Sequence, residues 1–80
     1  MSLIQIAFQL EGSIRNLKAE LNSIRLVRQQ AHYYSEAEID FQKLDEMEML
    51  LGSAITSLSA QVERIKASEE YQKVYGETYG

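Results

Sequence analysis

From Leu3 to Ile24 the apolar residues fall at Leu3, Ala7, Leu10, Ile14, Leu17, Leu21 and Ile24, in alternating steps of four and three. That rhythm keeps one stripe of a helix facing a neighbour over successive turns, the heptad seam of a coiled coil. A second seam runs through Phe41, Leu44, Leu51, Ile55, Leu58, Val62 and Ile65. Each seam has a polar intruder at a core-type position, Arg28 in the first and Glu48 in the second. No proline interrupts the chain and only four glycines occur, two of them, Gly12 and Gly52, within the seams. Helix is therefore the default conformation throughout. Two apolar stripes on one short chain bury each other, so the pattern predicts an all-α antiparallel helical hairpin, coiled-coil-like, that associates further into a helical bundle. The expected layout is a single domain over residues 1–80: a helix over about 3–31, a turn over about 32–35, a helix over about 36–72 and a frayed tail over 73–80.

The turn is placed at His32-Tyr33-Tyr34-Ser35, because Ser35 and Glu38 have the spacing of a capping box. A turn this short sets the register: facing positions sum to about 68, Arg28 lies near Asp40, and Leu3 ends near Ile65. Everything after Lys66 then overhangs the first helix, carrying Tyr71, Tyr75 and Tyr79 at spacing four.

More apolar surface is present than the two seams consume. In the first ten residues Leu3, Ile4, Ile6, Ala7, Phe8 and Leu10 cover a broad arc that leaves only Gln5 and Gln9 on the polar side. One partner helix does not cover that arc, so Ile4 and Phe8 are candidate contacts to another chain, with the Tyr-rich tail folding back as the alternative. Ile39 and Leu50 lie off the second seam, on the same projected side as Tyr71 and Tyr75, and form a second candidate face. Gly12 and Gly52 signal either close backbone approach or tolerated solvent-facing positions. Arg15, Lys18 and Arg25 line one flank of the first helix and are suited to pairing with the acidic second helix.

Composition narrows the function classes. The chain has 80 residues, 45% hydrophobic and 25% charged, enough for one small core and too apolar for a disordered segment. Its net charge of -4 argues against general nucleic-acid binding, which needs clustered Lys and Arg. The charge is uneven: residues 1–34 hold four basic and two acidic side chains, residues 35–80 four basic and ten acidic, so the halves attract. No stretch is apolar enough to enter a membrane and no secretory leader is evident, which together with the lack of cysteine fits the cytoplasm. With no Cys and one His, and no Glu-x-x-His or His-x-x-x-His pair, no metal or cofactor site is expected. Nor is a catalytic residue: the carboxylates read as acidic helix surface, and phosphate-cradling loops and nucleophile elbows are absent. The expected partner is a helical protein chain or a second copy of this one.

The run Phe41-Gln42, then Leu51, then Ser53-Ala54-Ile55, after a polar turn and an amphipathic helix, resembles the small E-type needle co-chaperones of bacterial type III secretion. The resemblance spans roughly Ile14 to Ile65. It implies a short hairpin that pairs with a helical-repeat co-chaperone and keeps an aggregation-prone needle subunit soluble in the bacterial cytoplasm. In that case Ile14, Leu17, Leu21, Leu51, Ile55 and Leu58 are seam or partner-facing residues. Phe41-Gln42-Lys43-Leu44-Asp45 also resembles the Ser-Gln-x-Leu-Asp motif of small sporulation phosphatases, with Phe41 in place of the motif's Ser. That resemblance implies Gln42 and Asp45 as residues that orient a water for attack on a response regulator's aspartyl phosphate. Three readings therefore stand: a non-catalytic protein-binding hairpin such as a secretion co-chaperone or adaptor; a structural homo-oligomer, phage-encoded or secreted; and an aspartyl-phosphate phosphatase.

Overall fold

The computed structural model describes residues 2–31 and 39–76. Helix α1 runs Leu3–Ala31 and helix α2 Phe41–Lys66, packed against each other as a hairpin. A short helix α3, Glu69–Tyr71, follows and passes into a π-helical turn at Gln72–Gly76.

Helix α1 starts on a capping box that the sequence spells Ser2-x-x-Gln5. The Ser2 hydroxyl accepts from the Gln5 amide at 3.2 Å, and the Ser2 amide donates to the Gln5 side-chain carbonyl at 3.0 Å. Helix α2 starts five residues later than expected from the sequence, at Phe41. Asp40 is its N-cap, extended at φ -82 and ψ 95, with its carboxylate accepting from the Lys43 amide at 3.2 Å. An aspartate there satisfies one of the amides that a helix leaves unpaired at its start and complements the positive end of the dipole. Ser35 and Glu38 lie outside the described residues.

The far end departs from expectation as well. Instead of continuing to residue 72, α2 stops at Lys66, and Ser68 turns extended at φ -70 and ψ 153. The Ser68 hydroxyl closes the outgoing helix by donating to the Ile65 carbonyl at 2.6 Å. It also opens the next one by accepting from the Tyr71 amide at 3.3 Å. One serine thus serves both ends of the break, with no glycine or proline marking it.

Because α2 begins later, the register shifts. Arg28 pairs with Asp45 and Glu48, not with Asp40, and Glu11 with Lys66, so facing positions sum to 73–77 where about 68 was expected. The start of α1 therefore reaches past Lys66 and meets α3, and the tail does not overhang it.

The contact line is narrow. Ala7, Ile14, Ile24, Ala31 and Val62 are buried; Leu10, Leu17, Leu21, Leu44, Leu51, Ile55, Leu58 and Ile65 are half-buried. Phe41, assigned to the seam by its spacing, is 41% exposed because it sits on the first turn of α2. No large side chain among the described residues is fully buried. The rod measures 58 × 21 × 19 Å and exposes 6252 Å². A compact monomer of the same mass exposes about 4,900 Å². Neither seam glycine permits a close approach within the chain: a Cβ at Gly52 would meet nothing within 4 Å, and at Gly12 only the Arg15 guanidinium at 3.7 Å.

Replacing the α2 cap, Asp40→Ala, is expected to lower unfolding free energy by about 1 kcal/mol in a denaturant titration. An unchanged midpoint would mean that α2 begins elsewhere.

Candidate protein-binding face

Arg28 and Glu48, the two polar intruders of the seams, meet. The Arg28 guanidinium forms an ion pair with Asp45 and lies 3.6 Å from Glu48, with about a third of the Arg28 side chain exposed. Arg28 Nε and Glu48 Oε1 are buried with no hydrogen-bond partner, so the pair is incompletely satisfied. A charge held this way offsets little of its own desolvation; its effect is to favour the one register in which the two charges meet. At the other end Lys66 Nζ lies 3.1 Å from Glu11 Oε1. The hydrogen bond and negative charge of Glu11 hold the Lys66 ammonium above its ordinary pKa. That contribution to folding is present below about pH 10.5 and is lost as the pH rises through the folded-state value.

The ion pair of Glu11 marks one edge of the hairpin. Glu20, nine residues along, projects from the opposite side of α1, since nine residues turn the helix by about two and a half turns. There the edge is apolar and open. Glu20, Ile24, Met47, Leu50 and Leu51 surround a shallow depression of about 260 Å³. Leu50 stands 70% exposed beside it and Met47 47%. Val27, seven residues beyond Glu20 on the same face of α1, is also exposed, and Met49 extends the apolar surface outward. A second depression beside Leu50 is lined by Glu46 and Met49, and a third by Met49, Gly52, Ser53, Thr56 and Ser57. Met side chains adapt to irregular apolar partners, which suits them to such a surface.

The candidate residues read from the sequence divide into two groups. At the α1 N-terminus Phe8 makes an edge-on contact with Tyr75, ring centroids 6.4 Å apart, and Tyr75 packs on Tyr71 at 4.7 Å. The break at Ser68 brings the tail of the same chain beside Phe8, a contact of the kind the fold-back alternative expects. Phe8 nevertheless stays 53% exposed, while Ile4, Tyr71 and Tyr75 are half-buried. Leu50 is not on this surface, and half-buried Ile39 precedes α2. The single flank expected to join Ile39, Leu50, Tyr71 and Tyr75 is thus not formed, because α2 ends before the tyrosines; Tyr79 lies outside the described residues.

Met47, Met49 and Val27 carry no signal in the heptad pattern that would single them out. Met47 does lie three residues before Leu50 and just off the seam, a spacing that places the two on one face. Gln42 is exposed and Asp45 is engaged by Arg28. No helix among the described residues is long and apolar enough to cross a membrane. Comparison with protein-family models, curated proteins and solved structures finds no match to this chain.

Arg28→Leu is expected to destabilise the hairpin by about 1–3 kcal/mol, because it leaves Glu48 inside the interface without its counter-charge. Glu48→Leu costs less, since Arg28 keeps Asp45. The double variant should match or exceed the parent in a denaturant-based double-mutant cycle. Additive losses would mean that the two charges do not interact.

Proposed function

We propose that this chain acts by binding protein chains and not by catalysis, with the open edge of the hairpin as its contact surface. The observation that carries the reading is the group of Met47, Leu50 and Val27 along one edge. All three are apolar and exposed, and Met47 and Leu50 line a depression floored by Ile24 and Leu51 that nothing in the described chain covers. Apolar surface gathered in this way favours association, whereas single scattered apolar residues do not. Tight anchoring by a few large side chains in a water-free centre is how such surfaces bind.

A secretion co-chaperone or adaptor is the finer form of this proposal. The resembling run from Phe41 to Ile55 overlaps the open edge, and a Met-bearing surface suits a protein that shields the apolar helix of another. In that role it acts in the bacterial cytoplasm. A homo-oligomer is the second reading, favoured by the surface in excess of that of a compact monomer.

Leu50→Glu tests the contact surface. Leu50 packs on little within its own chain, so the substitution should shift stability by no more than about 0.5 kcal/mol. Association, read both as elution mass and as the chains retained with the purified protein, should fall. An elution mass and retained set identical to the parent's would remove this edge as the contact surface.

A further inference from the structure

Granted that the open edge binds a protein chain, we infer that its occupant is a second copy of this chain, packed antiparallel across Met47 and Leu50 to complete a four-helix bundle. Area is the first support. The chain exposes 6252 Å², about 1,300 Å² beyond a compact monomer of its mass, and a standard interface takes about 800 Å² from each partner. One copy of itself therefore accounts for surface that the chain's own fold leaves bare. Two helices form only one layer, and a second identical layer is the simplest way to enclose the half-buried leucines of the contact line.

Shape is the second support. A two-fold interface uses the same patch twice, so the patch must hold both a projection and a recess to receive it. Leu50 projects beside the recess floored by Ile24 and Leu51. A two-fold axis passing near Leu50 and perpendicular to the rods places the Leu50 of each copy against the recess of the other.

Charge decides the direction. In the observed register Glu20 lies level with about residue 55, so at 1.5 Å per residue it sits about 7.5 Å to one side of Leu50 along the rod, and Lys43 about 10 Å to the other. The antiparallel two-fold reverses the second copy, bringing Glu20 of each chain within about 3 Å, along the axis, of the Lys43 level of the other. Glu46 is at a similar level, about 40° around α2 from Leu50 on the side away from α1, beside Leu50 and Met49. A parallel pairing would instead set Glu20 level with Glu20 and Lys43 level with Lys43, with like charges facing.

The chain contains no cysteine, so single cysteines report the geometry without background. The experiment combines light scattering on the full chain over a dilution series with oxidation of Leu50→Cys and of Thr56→Cys, which lies on the other side of α2. The expected result is twice the 9.2 kDa chain mass, a melting temperature that falls on dilution, and covalent dimer from Leu50→Cys but not from Thr56→Cys. Glu20→Lys should shift the mass toward monomer, and Glu20→Lys combined with Lys43→Glu should restore the dimer. A dimer that Leu50→Cys does not capture, or that Thr56→Cys captures equally, would overturn the geometry. A 9.2 kDa species at every concentration would overturn the inference. In that case loss of a different retained chain in Leu50→Glu leaves the binding reading standing, whereas no change in Leu50→Glu removes both.

Discussion

Two helices share one line of contact, and a line cannot enclose a side chain on all sides. The buried positions on α1 and α2 are therefore mostly small or β-branched, Ala7, Ile14, Ile24, Ala31 and Val62, while the leucines between them stay half in water. Apolar residues a little off the line, Met47 and Leu50 above all, have no neighbour in the same layer. The exposed edge is thus a geometric result of two-helix packing, and the weakness of the core and the presence of a binding surface have the same origin.

Within that constraint the register is held by charge. Ala, Ile and Leu seams tolerate sliding by a heptad at modest cost, since one apolar contact resembles the next. Arg28 opposite Asp45 and Glu48, and Glu11 opposite Lys66, mark two places along the rod where a slide would separate opposite charges. The two pairs lie near opposite ends of the contact line, which gives them the longest lever against misalignment. The incompletely satisfied atoms at Arg28 and Glu48 are consistent with a role in alignment more than in stability.

The hairpin itself was legible in the sequence, because apolar steps of three and four sustained from Leu3 to Ile24 line up on one side of an α-helix and scatter over both faces of a strand. The alignment of the helices was not. A capping signal at Ser35 and Glu38 competed with Asp40, which caps α2 with Lys43 at the third position and lacks the reciprocal glutamate that makes a box conspicuous. That difference of five residues moved every facing pair. The break at Ser68 was hidden because serine is a common helix residue, and its double role emerges only where a neighbouring helix can receive the tyrosines that follow. Of the candidate contacts, Phe8, Tyr71 and Tyr75 were each identifiable as interface-type residues, but that they would meet one another depended on this break. Leu50 was legible as off-seam; its companions Met47 and Val27 acquired significance only when the register placed α1 and α2 side by side.

The turn at Ser68 also orders events in time. A ribosome adds Tyr75 67 positions after Phe8. At about 5–20 residues per second the apolar start of α1 waits roughly 3–13 seconds for the ring that packs against it. Throughout that interval the apolar face around Phe8 lacks its cover from within the chain, which arrives only once Tyr75 is made.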